Sequence, residues 1–123
     1  MSQKSILLID DDAFTLETLK DKLSEFGYAV TTSESASEAF DLLTKHFDLI
    51  ITDVVMPTLS GLEFLKVLKN RMMSETPIIV ISGAGNPEIV YEALEAGAVD
   101  FLEKPVSETE LKIRVEKPIG KAV

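Results

Sequence analysis

The chain has no cysteine in its 123 residues, which excludes disulfides and thiolate metal sites. His46 is the only histidine, so a zinc site lacks its usual ligands, while carboxylates suit harder ions. Cations are the minority charge: 12 Lys and Arg stand against 21 Asp and Glu, for a formal net charge of −9. Nucleic acids are bound mainly by cations meeting phosphates, so no direct nucleic-acid binding by this domain is expected. Apolar runs such as Ile6–Ile9 and Ile78–Ile81 fall far short of the roughly 20 residues of a membrane-spanning helix. Met1-Ser-Gln-Lys4 carries no export signal. A cytoplasmic protein without membrane partners is the expectation.

Apolar residues make up 46% of the chain, enough for a core without covalent staples. The length fits one domain over residues 1–123, with 118–123 as a C-terminal tail or the start of a linker. Short apolar runs predict strands over Lys4–Ile9, Tyr28–Thr32, Leu49–Thr52, Ile78–Ser82 and Val99–Leu102. Three of them are apolar without a break, as strands covered on both faces must be. Between them lie helical segments. Leu16, Leu19, Leu23 and Phe26 recur at helical spacing before Gly27, which suits a C-terminal cap. Ser35–Glu38, Ser60–Glu63 and Ser107–Glu110 have the capping-box form. Asn86-Pro87-Glu88 offers an N-cap followed by proline at the first helical position. Pro118 should stop the last helix near Lys117.

Strict alternation of strand and helix predicts an α/β protein, a (βα)₅ doubly wound five-stranded parallel sheet. Tyr28–Thr32 is the most polar strand and so the expected edge. The flavodoxin-like order 2-1-3-4-5 fits this, with ligands beyond the C-terminal ends of the first and third strands. At the C-terminal ends of the first, third, fourth and fifth strands stand Asp10-Asp11-Asp12, Asp53, Ser82 and Lys104-Pro105. Each has an ordinary reading, as cap, turn former, small polar residue or surface charge. Four of them at one edge are less easily dismissed. Clustered carboxylates repel unless a cation joins them, and hard oxygen ligands suit Mg²⁺.

Four blocks in order carry a resemblance that runs from Ser5 to about Glu116. They are Asp10-Asp11, Asp53-Val-Val-Met-Pro-Thr-Leu-Ser-Gly61, Ser82-Gly-Ala84 and Glu95-Ala-Gly-Ala-Val-Asp-Phe-Leu-Glu-Lys-Pro105. The chain resembles response-regulator receiver domains of two-component signalling. The resemblance implies a phosphoacceptor at Asp53, charged by a histidine kinase or phosphotransfer protein. It implies Mg²⁺ on Asp10 (mainly through a coordinated water), Asp11, Asp53 and the Val55 backbone carbonyl. Ser82 and Lys104 would bind the phosphoryl oxygens, Ser82 and Phe101 would form the switch, and the Lys104-Pro105 bond would be cis. Homodimers or output partners would use the face of the fourth helix, fifth strand and fifth helix. Val90, Tyr91 and Leu94 on that fourth helix cannot all reach the core, so part of this face should stay apolar.

The chain departs from the family in two places: Ser82 stands where Thr is commoner, and Phe101 where Tyr is. Val55 and Ala84 lie at the two positions that influence loss of the phosphoryl group, and neither can orient a water. Rival readings are a haloacid-dehalogenase-type Mg²⁺ phosphatase, a flavodoxin-like nucleotide or flavin binder, and a degenerate receiver used only for docking. The first would place its nucleophile after the first strand. The second needs a Gly- or hydroxyl-rich phosphate loop where this chain has three carboxylates. The third sits badly with an intact set of Asp11, Asp53, Ser82 and Lys104. A signalling domain, not an enzyme in its own right, is the expectation.

Overall fold

A computed structural model describes residues 3–56, 60–83 and 85–122. Pro57, Thr58, Leu59 and Ala84, which belong to two of the motifs above, lie outside the described residues. In chain order the elements are β1 (Ser5–Ile9), α1 (Ala13–Phe26), β2 (Ala29–Ser33), α2 (Ala36–Leu42) and β3 (Leu49–Asp53). Then come α3 (Gly61–Asn70), β4 (Ile78–Ser82), α4 (Pro87–Glu95), β5 (Asp100–Glu103) and α5 (Glu108–Ile119). All strand pairs are parallel, and the sheet order is β2-β1-β3-β4-β5.

The unbroken apolar runs become the three central strands because successive side chains point to opposite faces, and helices cover both. Ile6, Leu8, Leu49, Ile51, Ile79 and Ile81 pack against Leu16, Leu19 and Leu23 of α1 and Leu111 and Val115 of α5. Their neighbours Leu7, Ile9, Ile50, Ile78 and Val80 face the other way, onto Ala39 of α2, Phe64, Leu65 and Leu68 of α3 and Ala93 of α4. β2 has a single neighbour and is mostly half-buried, which is why its residues are polar.

Helix ends follow the sequence signals unevenly. Gly27 takes φ +110°, and its N–H closes back on Leu23 and Ser24 of α1; a left-handed cap of this kind favours glycine. Of the three expected capping boxes, only Ser60 and Glu63 bond in both directions. Ser35 and Ser107 accept from the third helical N–H, but neither helix closes the reciprocal bond. For Glu110 the reason is competition, since its carboxylate accepts from Arg114 Nε at 3.1 Å. Asn86 stands at the N-cap of α4 without a side-chain cap bond, so Pro87 carries that start. Pro118 lies inside the last turn of α5, which ends two residues later than expected, with the Gly120 N–H bonded to Glu116. Strand boundaries move by one residue at β1, β2, β3 and β5, because pairing with a neighbouring strand, not composition, sets them.

Candidate functional site: an acidic rim held by one lysine

Parallel strands end on one edge, so whatever follows them meets there. Asp10 follows β1 and is fully buried. Its Oδ1 accepts the Asp12 N–H at 2.9 Å. Asp53 is the last residue of β3 and only 6% exposed. Its Oδ1 accepts the Val55 N–H at 3.0 Å, and its Oδ2 accepts from Lys104 Nζ at 2.9 Å. The same ammonium lies 3.0 Å from Asp10 Oδ2. That contact is an ion pair outside hydrogen-bonding alignment, and Asp10 Oδ2 is left buried with no hydrogen bond from the described residues. Asp11 is exposed, and a carboxylate oxygen from each of Asp10, Asp11 and Asp53 lies within 4.8 Å of the others.

Lys104 reaches this point through local structure. Its N–H extends the β4–β5 pairing to Ser82 O at 2.8 Å, and the Lys104-Pro105 bond that follows is cis. Ser82 ends β4 and is buried. Phe101, on β5, is half-buried, and Val55 is 52% exposed beside Asp53. The rim thus brings together Asp10, Asp11, Asp53 and Lys104, with Ser82 on the strand between β3 and β5.

Electrostatics follow from burial. Burial pushes the Asp10 carboxyl above its ordinary value, with Asp53 adding to the rise; the Asp12 N–H and Lys104 offset part of it. Burial alone would lower the Lys104 ammonium, but the carboxylates of Asp53 and Asp10 outweigh it and hold the group above its ordinary value. Three carboxylates around one ammonium leave net negative charge and an oxygen lacking a donor. A divalent cation with hard oxygen preference fits this donor set.

One residue plays a part that the motifs alone did not reveal. A Cβ on Gly61 would stand 1.7 Å from the Asp53 carbonyl oxygen and 3.0 Å from Val54 Cα, so the start of α3 presses directly on the strand end. A glycine after an N-cap serine, where alanine would favour the helix, is the signal for it. Asp12, by contrast, keeps its ordinary role as the N-cap of α1, accepting from Phe14 N–H at 3.0 Å and Thr15 Oγ1 at 2.8 Å.

A five-stranded parallel α/β sheet with an acidic pair after β1, an aspartate closing β3 and a lysine after β5 defines a class of Mg²⁺-suited phosphate sites. The chain belongs to the response regulator receiver domain family, whose family model matches residues 6–116. It is 38% identical over 118 residues to the transcriptional regulatory protein FixJ of Bradyrhizobium diazoefficiens, covering 95% of this chain and 57% of FixJ. Transcriptional regulatory protein CpxR of Escherichia coli is 37% identical over 110 residues, covering 89% of this chain and 47% of CpxR. Among solved structures, a response regulator receiver domain protein from Clostridium thermocellum superposes with a TM-score of 0.88 at 32% identity, covering 94% of each chain. The chain spans about half the length of the curated relatives it matches.

It is therefore a receiver domain of two-component response regulators, consistent with phosphorelay signalling. The phosphatase and docking-only readings are not favoured. Receiver domains of response regulators are phosphorylated by histidine kinases and bind Mg²⁺ at an acidic cluster, and this chain has such a cluster. No helix among the described residues is long and apolar enough to cross a membrane.

Proposed function

We propose that Asp53 accepts a phosphoryl group from the phosphohistidine of a histidine kinase or phosphotransfer protein, in the cytoplasm. The carrying observation is that its buried carboxylate is held between the Val55 N–H and Lys104, with Asp10 and Asp11 oxygens alongside. One Asp53 oxygen attacks phosphorus, the P–N bond to the donor imidazole breaks, and its electron pair leaves with the imidazole. Asp10, Asp11, Asp53 and the Val55 carbonyl would hold Mg²⁺. When bound, Mg²⁺ neutralises phosphoryl oxygen charge. Lys104 is already at the rim to pair with an oxygen of the new aspartyl phosphate, and Ser82 supplies a hydroxyl to another. Such positioning and neutralisation are most of what phosphoryl transfer requires.

Signalling needs the new charge to bias a two-state element. Ser82 and Phe101 form that element in this reading, and the output face is α4-β5-α5. That face leaves Tyr91 at 66% exposure, with Leu94, Val99 and Ile113 also exposed. A homodimer or an output partner would cover them. The unit acting is a single receiver domain.

Acetyl phosphate with Mg²⁺ should add one acid-stable, base-labile phosphoryl group, seen as a mass shift. EDTA should suppress it and Asp53→Asn abolish it. Undiminished labelling of Asp53→Asn would overturn the assignment.

A further inference from the structure

One cluster of side chains outside the rim joins β5 to α5. Asp100 Oδ1 accepts two hydrogen bonds, from the Phe101 N–H at 2.9 Å and from Arg114 Nη1 at 2.5 Å. Arg114 Nε donates to Glu110 Oε2, one helical turn earlier, at 3.1 Å. Gripped by both carboxylates, the guanidinium carbon lies 5.8 Å from the centroid of the Phe101 ring. That is within reach of a cation–π contact, for which the flat guanidinium is well suited. Asp100 therefore ties the backbone of Phe101 to the cation that sits over its ring.

Phe101 also borders a cleft of about 330 Å³ that reaches Ser82 and has Val90, Tyr91 and Leu94 among its walls. The ring already packs in part against the cluster that holds Val80 and Ala93 on that side of the sheet, and the cleft's apolar walls offer it further surface to bury. A phenylalanine carries no hydroxyl that would bond in one position and not in the other. The ring's choice is left to packing on the cleft side and to Arg114 on the α5 side.

We infer that Arg114 is a positioning residue that holds the Phe101 ring on its α5 side, and so sets how much of the unphosphorylated chain already has the ring in the cleft. This rests on the reading of Phe101 as part of the switch. By linkage, a change that frees the ring must also raise the affinity for a phosphoryl group, or its mimic, that favours the inward state. A cation–π contact at a part-exposed site supports about a two- to fivefold change in such an equilibrium. A purely structural ion pair would act differently: its loss would loosen β5 and weaken binding of the mimic.

The test is aromatic ¹H–¹³C NMR of the Phe101 ring together with titration of beryllofluoride in the presence of Mg²⁺. It compares the unaltered chain, Arg114→Gln, and Arg114→Lys, which keeps the charge and loses the planar stack. Arg114→Gln should move the Phe101 resonances toward their beryllofluoride-bound positions before any mimic is added. It should also tighten beryllofluoride binding about two- to fivefold. Arg114→Lys should lie between it and the unaltered chain. Resonances that beryllofluoride does not move in the unaltered chain would overturn the switch reading of Phe101, and the positioning role with it. Resonances that move there, but start from the same place in Arg114→Gln, would overturn the role of Arg114 alone, as would weaker binding of the mimic.

Discussion

Two aspartates at opposite ends of the sheet have opposite surroundings. Asp48 stands just before β3, at the N-terminal end. Its Oδ2 accepts the Ser5 N–H at 2.7 Å, and its Oδ1 lies 3.1 Å from His46 Nε2. The Ser5 N–H is the main cause that holds its carboxyl below the ordinary value. Asp10 stands just after β1, at the C-terminal end, where burial pushes its carboxyl the other way. One carboxylate closes a structural joint between β1 and β3. The other retains an oxygen without a hydrogen bond among the described residues, beside two further carboxylates and one shared ammonium. The N-terminal end is finished by folding, whereas the C-terminal rim keeps crowded carboxylates, which a cation and a phosphoryl group would complete if the proposed function holds.

The largest effect that would sharpen this contrast comes from Gly61. If the rim has no slack, Gly61→Ala must push the Asp53 carbonyl aside. Overpacking of this kind costs about 1–3 kcal/mol. Misplacing a reacting group by roughly an ångström can cost about 10²-fold in rate. Phosphorylation by acetyl phosphate should fall far more than stability measured by urea unfolding. Gly83→Ala, where a Cβ meets nothing within 4 Å among the described residues, is the control. Equal phosphorylation rates in the two variants would show that the rim yields easily.

A second pair of variants should move stability in opposite directions when metal is removed with EDTA. Asp48→Ala strips the Ser5 N–H of its partner and should destabilise by about 1–3 kcal/mol. Asp10→Asn keeps an acceptor for the Asp12 N–H, removes a buried charge and leaves Lys104 paired with Asp53. It should stabilise the metal-free fold by on the order of 1 kcal/mol, while weakening Mg²⁺ binding. Urea unfolding with and without Mg²⁺ reads both. If Asp10→Asn destabilises as Asp48→Ala does, the two ends are structurally alike and the contrast fails.

Much of this architecture was legible in the sequence because its signals are local. Unbroken runs such as Ile78–Ile81 mark strands covered on both faces, and the polar β2 marks an edge. The meeting of Asp10, Asp11, Asp53 and Lys104 followed from the rule that parallel strands end on one side. What escaped depends on distances between segments remote in sequence. The contact of Lys104 with Asp10, the pressure of Gly61 on Asp53, and the Arg114 guanidinium over Phe101 are of this kind. The unclosed Ser107–Glu110 capping box has the same origin, since Arg114 one turn later takes the Glu110 carboxylate. A motif records residue types, but it does not record which of two partners a carboxylate selects.

The smallest effect concerns acid. A carboxyl whose folded-state value is depressed, as for Asp48, stabilises the fold above its unfolded value of about 3.9. That stabilisation is lost as pH falls through the lower folded value. Asp10, with its value raised, acts in the opposite sense, but it is common to the parent chain and to Asp48→Asn and cancels in their difference. The stability gap between the two proteins should therefore be open near about pH 5 and close progressively below about pH 4. The Asp48 side chain is 35% exposed, so solvent screening keeps the gap small. Urea midpoints for both proteins, taken in EDTA at matched ionic strength, would measure it. A gap that stays constant from pH 5 downward would mean that Asp48 holds Ser5 as a neutral acceptor would, and that its charge contributes nothing at that end of the sheet.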